Sequence, residues 1–219
     1  MIWRIILCLC IGYAFGCIST GLIVGKTKNV DIRKYGSGNV GTTNALRTLG
    51  VKAGLVTFLG DILKCVIPVV LMKYVVFGDV DYRLLLGLCT GFGAVLGHNF
   101  PFYLHFKGGK GIAVMAATIL MFDLRLAAIC LVTFVAVVAF TRYVSLGSLI
   151  VALEFFFFTL FVYGIREQNW PVLVVSALFA SLAFYTHRTN IKRLLAGTEN
   201  KIGKKAAVTD KSEEGKENA

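Results

Sequence analysis

Charged side chains are scarce in this sequence. They make up 16% of the 219 residues, whereas 57% are hydrophobic. A soluble domain of this length carries more charge and fewer apolar residues, so the composition excludes that class and predicts an all-α integral membrane protein. We expect one domain over residues 1–203 and a charged, disordered tail over residues 204–219.

Metal-ligand clusters and nucleotide-binding loops are also missing. The six cysteines lie in apolar runs, where thiols act as small hydrophobic side chains, and Cys8 and Cys10 have no His/Cys cluster to complete a metal site. The Lys-Gly-Gly-Lys-Gly run at 107–111 lacks Walker A spacing and follows no strand. The sequence therefore predicts no metal and no organic cofactor.

The charge that is present is mostly positive, with a formal net charge of +11. Nucleic acid is one partner for such charge, but the basic residues lie at the ends of apolar segments. Positive-inside topology, together with anionic lipid or substrate, explains this placement better. We therefore expect a membrane partner and no nucleic acid.

The hydrophobic runs predict a seven-transmembrane-helix bundle. The runs cover residues 2–24, 53–72, 84–97, 112–121, 126–140, 146–163 and 170–185. The fourth and fifth runs form either one long helix or two helices split at 122–125, and only the split puts most of the 23 basic residues on one side. That side, predicted to be cytoplasmic, holds the loops 26–52, 98–111 and 142–145 and the C-terminal segment from residue 187, with the N-terminus outside. The run 112–121 is short for a crossing unless the helix extends or the site dips into the bilayer.

Residues 36–44 read Gly-Ser-Gly-Asn-Val-Gly-Thr-Thr-Asn, and Arg47 follows one helical turn later. Glycine backbone and short hydroxyl or amide side chains suit phosphate oxygens, and a following helix N-terminus would add its dipole. The alternative is a flexible turn with a Thr or Asn helix cap. The density of these residue types favours an anion site.

Residues 98–111 combine two histidines, two lysines and three glycines between apolar runs. Glycines let backbone N–H groups approach an anion, and Lys107 and Lys110 add positive charge. His98 suits acid/base work or the capping of helix carbonyls. The alternative is a basic turn that binds lipid head groups.

Two further patterns place polar groups at helical spacing. His187 and Asn190 are i,i+3 neighbours in a basic segment, so they address one ligand or belong to a membrane-surface anchor. Asp61 and Lys64 have the same spacing inside an apolar run. Ionisable groups there are functional or form a mutual ion pair, and we assign this pair a structural role.

Four motifs give the chain a family resemblance. They cover residues 31–47, 97–111, 141–145 and 187–203, so the match extends over nearly the whole chain to Gly203. The chain resembles the bacterial acyl-phosphate-dependent glycerol-3-phosphate acyltransferases. None of His98, His105 and His187 has aspartate five residues later, so the His-x₄-Asp motif of the acyl-carrier and acyl-CoA enzymes is absent from the sequence.

The resemblance implies an enzyme of the bacterial cytoplasmic (inner) membrane. It would transfer an acyl group from acyl-phosphate to the 1-hydroxyl of sn-glycerol 3-phosphate, giving lysophosphatidic acid and phosphate at the start of phospholipid synthesis. Functional coupling to an enzyme that forms acyl-phosphate follows from this donor. A transporter of a phosphorylated metabolite is the competing class, but it requires a polar path through both leaflets, and here the polar motifs gather on one side.

The motifs also imply the site residues. The predicted catalytic residues are Ser37, Arg47, Lys107, His187 and Asn190. The predicted substrate-binding residues are Gly38, Asn39, Thr42, Thr43, Asn44, His98, Gly108, Gly109, Lys110, Gly111, Ser145 and Arg188. Glu199, like Asp61 and Lys64, is predicted to hold structure.

Overall fold

The computed structural model describes residues 1–203, so the predicted disordered tail lies outside the described residues. The helices in chain order are α1 (Ile2–Gly16), α2 (Thr20–Thr27), α3 (Thr42–Leu49), α4 (Val51–Val70), α5 (Arg83–Asn99), α6 (Ile112–Phe122), α7 (Leu124–Thr141), α8 (Val144–Thr159), α9 (Trp170–Thr186) and α10 (Arg188–Leu195). Short 3-10 turns occupy Ile32–Lys34 and Phe102–Leu104, and π-helical turns extend α4 over Leu71–Val76 and α8 over Leu160–Arg166.

Glycines bring α1 and α5 into direct backbone contact. A Cβ at Gly12 or Gly16 of α1 would collide with the backbone of α5, and one at Gly93 or Gly97 would collide with α1. Small residues at these spacings allow the close approach that packs helices tightly in lipid. These glycines therefore pack α5 against α1. Because α5 also contacts α4, α6 and α9, it lies at the centre of the bundle.

The predicted split between the fourth and fifth runs is present. Asp123 ends α6 and caps α7, with its Oδ1 accepting hydrogen bonds from the N–H groups of Arg125 (2.9 Å) and Leu126 (3.3 Å). A carboxylate at this position satisfies N–H groups that the first helical turn leaves unpaired. The chain therefore starts a new helix at Leu124 rather than continuing α6.

Five helical stretches within residues 1–203 are long and apolar enough to cross a membrane: Ile2–Thr27, Val51–Val76, Arg83–Leu104, Leu124–Thr141 and Val144–Arg166. A sixth forms if α9 and α10 are counted as one span bent by 61°, and α6 is a shorter apolar helix of 11 residues. The protein is thus an all-helical bundle with five or six such spans in this part of the chain. Its seven crossings stay a prediction.

The short α6 has a structural explanation. His98 lies in the last turn of α5, and its Nδ1 is 2.7 Å from Nζ of Lys64. Lys64 is near the middle of the helical stretch Val51–Val76. The loop that leads into α6 therefore starts beside the interior of that span. At the other end of α6, Lys73 Nζ donates to the Met121 carbonyl oxygen (2.7 Å). The polar loop before α6 thus starts inside the bundle, which is one of the two ways in which a run as short as 112–121 was expected to be accommodated.

Candidate active site

Glu199 is the centre of a polar cluster built from distant parts of the chain. Its Oε1 accepts hydrogen bonds from Ser145 Oγ (3.0 Å) and Asn190 Nδ2 (2.7 Å), and its Oε2 accepts from Arg193 Nε (2.8 Å). Ser145 is in the first turn of α8, whereas Asn190 and Arg193 share a face of α10. Glu199 therefore connects α10 to the start of α8, and its predicted structural role stays a prediction.

Lys110 joins the same cluster from the loop before α6. Its Nζ donates a hydrogen bond to Asn190 Oδ1. Arg47, in the last turn of α3, is close enough to Glu199 and Arg193 to interact with their charges. We call Arg47, Lys110, Ser145, Asn190, Arg193 and Glu199 the Glu199 cluster. It holds three cationic side chains and one carboxylate, so its net charge suits an anion.

Burial changes the pKa values in the cluster. It lowers the pKa of Lys110 to about 8; Glu199 opposes this shift, while Arg193 and Arg47 add to it. Burial alone would raise the pKa of Glu199, but hydrogen bonds from Arg193, Asn190 and Ser145 bring it below its ordinary value. Near neutral pH, Glu199 is therefore ionised and most of Lys110 is protonated. A bound phosphate would strengthen the protonated form of Lys110.

Asn44 shapes the loop of the first motif. Its Nδ2 donates to the carbonyl oxygens of Ile32 (3.0 Å) and Tyr35 (3.1 Å), and its Oδ1 accepts from the Ser37 N–H (2.9 Å). Gly36 and Gly38 adopt left-handed conformations (φ 59° and 71°), which glycine accommodates without strain. The Asn44 carboxamide thus holds the loop that leads into α3, and its predicted contact with substrate stays a prediction.

The loop over residues 107–111, here called the glycine loop, folds back on the end of α5. The N–H groups of Gly108 and Gly109 donate to the carbonyl oxygens of Asn99 and His98, each at 2.9 Å. A Cβ at Gly109 would collide with His98 Nε2, and Gly111 takes a left-handed φ of 76°. These contacts explain the need for glycine. They also occupy two N–H groups that the sequence predicted as phosphate donors.

His187 lies between α9 and α10, where the helix axis bends. It is buried, and its Nδ1 lies 2.8 Å from the Ala183 carbonyl oxygen. That carbonyl requires a proton on Nδ1, so the lone pair of the neutral ring is on Nε2. His187 therefore has one ring nitrogen, Nε2, with a free lone pair.

The structure separates the two lysines of the glycine loop. Lys110 belongs to the Glu199 cluster, whereas the Lys107 side chain is exposed. Ser37 is exposed too, and within residues 1–203 no hydrogen bond joins its hydroxyl to the cluster. Their predicted catalytic roles stay predictions. The cluster itself brings together Arg47, Lys110, Ser145, Asn190 and Glu199 from the predicted set.

The remaining predicted residues make local contacts outside the Glu199 cluster. Asn39 Oδ1 accepts from the Gly41 N–H (3.0 Å), Thr43 is half-buried, and Arg188 is exposed, with its Nη1 donating to the Tyr185 carbonyl oxygen (3.0 Å). The buried Thr42 Oγ1 has no hydrogen-bond partner within the described residues. None of these contacts joins the residues to the cluster, and their predicted roles in substrate binding stay predictions.

Two further polar residues, one in the Glu199 cluster and one beside the glycine loop, are absent from the predicted set. Arg193 is i,i+3 from Asn190, and this spacing on a basic helix was the available signal. Asn99 is buried beside Gly111, and neither end of its carboxamide has a hydrogen-bond partner within residues 1–203. Its position next to His98 gave no indication of that burial.

Comparisons with known proteins identify the family of the chain. A sequence profile of the family "Glycerol-3-phosphate acyltransferase" matches residues 6–197. The chain is 42% identical to a glycerol-3-phosphate acyltransferase of Thermoanaerobacter sp. (strain X514), over 90% of this chain and 96% of the relative. It is 43% identical to one of Clostridioides difficile (strain 630), over 93% of this chain and 98% of the relative.

Solved structures give the same result for the fold. The crystal structure of PlsY (YgiH), an integral membrane glycerol 3-phosphate acyltransferase in its glycerol 3-phosphate form, matches with a TM-score of 0.80 and 36% identity, over 91% of this chain and 96% of that chain. The lysophosphatidic acid form of PlsY matches with a TM-score of 0.78 and 35% identity, over 91% of this chain and 95% of that chain.

Apolar helices around a partly buried polar cluster with net positive charge define an integral membrane protein. The sequence and fold similarity over most of the chain identifies a family within this class. The protein belongs to the glycerol-3-phosphate acyltransferase family of integral membrane enzymes, which confirms the resemblance seen in the sequence and its role in phospholipid synthesis.

Proposed function

We propose that the protein transfers an acyl group from acyl-phosphate to the 1-hydroxyl of sn-glycerol 3-phosphate. The products are 1-acyl-glycerol 3-phosphate (lysophosphatidic acid) and inorganic phosphate. The observation that carries the proposal is the Glu199 cluster, in which Arg47, Lys110 and Arg193 surround one carboxylate. Family membership supports the acceptor, and the absence of a His-x₄-Asp motif from the sequence supports the donor.

Binding in this mechanism is mainly electrostatic. Both substrates carry phosphate groups, and a partly buried cationic cluster attracts them more strongly than exposed lysines would. Asn190 holds Lys110 through Oδ1 and Glu199 through Nδ2, so its carboxamide fixes the spacing between a cation and the anchoring carboxylate. This supports a role for Asn190 in orienting glycerol 3-phosphate.

The chemical step needs no covalent enzyme intermediate, because acyl-phosphate is an activated mixed anhydride. The 1-hydroxyl oxygen attacks the carbonyl carbon, the new ester C–O bond forms, and the bond to the phosphate oxygen breaks. Phosphate leaves with the electron pair of that bond. Positioning of the two substrates and stabilisation of charge on the carbonyl oxygen lower the barrier.

The hydroxyl proton has two acceptors in this scheme. One is an oxygen of a substrate phosphate, and the other is Nε2 of His187, whose Nδ1 is engaged with the Ala183 carbonyl oxygen. Loss of His187 distinguishes them, because His187→Gln keeps a polar side chain but removes the basic nitrogen. A kcat that falls by about 100-fold or more identifies His187 as the base, and a small change identifies the phosphate.

The proposal includes a topology. The protein lies in the bacterial cytoplasmic membrane with the motif loops and the C-terminus in the cytoplasm and the N-terminus outside. Lys110 of the glycine loop, Ser145 at the start of α8 and Asn190 of α10 meet in one cluster, which supports a common side for these three regions. The acyl chain would lie between apolar helices that are open to lipid.

The test uses purified protein in detergent or vesicles with labelled glycerol 3-phosphate. We expect lysophosphatidic acid and one equivalent of phosphate when acyl-phosphate is the donor and neither acyl carrier protein nor CoA is present. Acylation that requires an acyl carrier or acyl-CoA would overturn the donor. Uptake of glycerol 3-phosphate into vesicles without acylation would favour the transporter alternative.

A further inference from the structure

A second buried polar cluster lies behind the glycine loop. It consists of Asp61 and Lys64 of α4 and His98 of α5, all buried. Lys64 Nζ lies 2.8 Å from Asp61 Oδ1, 2.8 Å from the Ile18 carbonyl oxygen and 2.7 Å from His98 Nδ1. The cluster therefore connects α4, the α1–α2 junction and α5 at one point.

The chemistry of the lysine fixes the state of the histidine. A lysine ammonium group has three N–H donors and no acceptor. His98 Nδ1 must therefore accept the hydrogen bond from Lys64, and in the neutral ring the proton is then on Nε2. Asp61 Oδ1, at 2.8 Å from Nζ, balances the buried positive charge of Lys64.

The other ring nitrogen of His98 faces the glycine loop. A Cβ at Gly109 would collide with Nε2, so this nitrogen is packed against the Gly109 backbone. The Gly109 N–H also donates to the His98 carbonyl oxygen (2.9 Å). The ring and the loop are thus fixed to each other. The next residue, Lys110, donates to Asn190, so the position of the loop also sets the position of Lys110 in the Glu199 cluster.

We propose that Lys64 is a positioning residue that holds His98 in the Nε2–H tautomer beneath the glycine loop. This role rests on the proposed function. An N–H dipole directed at the loop attracts a phosphate group bound there, whereas an Nε2 lone pair repels it. Lys64 thus raises the affinity of the loop for a phosphate group without touching the substrate.

A simple structural ion pair is the competing explanation. It would hold α4 against α5, and a neutral pair of similar shape would replace it without loss of function. The test variant is therefore Asp61→Asn with Lys64→Met, which removes both charges together and leaves no unpaired buried charge. Lys73→Met is the matched control, since Lys73 is also buried and donates to a backbone carbonyl, that of Met121, but contacts no histidine.

The first measurement is ¹⁵N NMR of labelled histidine in the purified protein. The chain has three histidines, so the His98 signal is assigned by its loss in His98→Asn. We expect His98 to carry its proton on Nε2 in the wild type and to populate the Nδ1–H tautomer in the double variant. A wild-type proton on Nδ1 would refute the proposal, even if the double variant does not fold.

The second measurement is steady-state kinetics with acyl-phosphate and glycerol 3-phosphate. Loss of one hydrogen-bond donor near an anion predicts a rise of about tenfold in the KM for glycerol 3-phosphate in the double variant, with a smaller change in kcat. Lys73→Met should lower thermal stability without this rise. A wild-type KM in the folded double variant would overturn the positioning role. A wild-type protein without acyl transfer would refute the proposed function instead.

Discussion

Lys110 donates a hydrogen bond to Asn190, a residue 80 positions away in the sequence. Asn190 in turn donates a hydrogen bond from its Nδ2 to Glu199 Oε1 (2.7 Å). One carboxamide thus links a cation of the glycine loop to the carboxylate that anchors the end of α10. A charge added at Asn190 would therefore act on both Lys110 and Glu199.

A charge placed at Asn190 tests this arrangement. Asn190→Asp has nearly the same shape but puts a second carboxylate beside Glu199, which opposes the binding of a phosphate group. We expect kcat/KM for glycerol 3-phosphate to fall by about 10- to 100-fold. Asn169→Asp, just before α9, is the control for the added charge and should leave the kinetics unchanged. Equal kinetics in both variants would contradict the role of Asn190.

The two lysines of the glycine loop allow a direct comparison. Lys110 lies in the Glu199 cluster and Lys107 is exposed, so Lys110→Ala should lower kcat/KM by about 100-fold and Lys107→Ala by less. Steady-state kinetics of the two purified variants measure this difference. The sequence predicts instead that Lys107 is catalytic. A larger loss in Lys107→Ala would support that prediction over the structural ranking.

The pH dependence of the reaction should report Lys110. Its pKa is about 8 because burial lowers it, so the positive charge is present below pH 8 and is lost as pH rises through that value. We expect kcat/KM for glycerol 3-phosphate to fall above pH 8, by up to about tenfold per pH unit. In Lys110→Arg this alkaline limb should move to higher pH, since a guanidinium stays protonated. If the alkaline fall in kcat/KM stays at the same pH in Lys110→Arg, it reports the titration of another group.

Gly109 has no room for a side chain. A Cβ there would collide with His98 Nε2, so Gly109→Ala must displace the loop or the ring. We expect a KM for glycerol 3-phosphate that is raised about tenfold or more, because a small displacement disrupts an oriented site. Gly164→Ala is the control, as its Cβ would meet the flexible Leu173 side chain at 3.1 Å. Normal kinetics in Gly109→Ala would show that the loop position is unimportant.

Asp123 should act on stability alone. It caps α7 and pairs with Arg125, which holds its pKa down at about 2, so the cap is charged above about pH 4 and is lost as pH falls towards 2. Asp123→Ala should lower the free energy of unfolding by about 1–2 kcal/mol. Thermal unfolding in detergent near neutral pH measures this effect. A changed KM for glycerol 3-phosphate would be evidence against a purely structural role.

Some features of the protein follow from the sequence itself. Long apolar runs with little charge require helices whose backbone groups are paired internally, and this property is local to each run. The split at 122–125 followed from the distribution of the basic residues, and Asp123 gives it a local cause by capping α7. The four polar motifs give the family, and the i,i+3 spacing of Asp61 and Lys64 predicts their ion pair, which forms at 2.8 Å.

The tertiary structure decided which polar groups meet. Lys107 and Lys110 lie in the same short motif, and only helix packing brings Lys110 to Asn190 and leaves Lys107 exposed. Lys64 reaches His98 because α4 and α5 pack side by side, a contact between residues 34 positions apart. The sequence therefore determined the membrane class, the family and the motifs. The assembly of the site depended on through-space contacts that no local pattern contains.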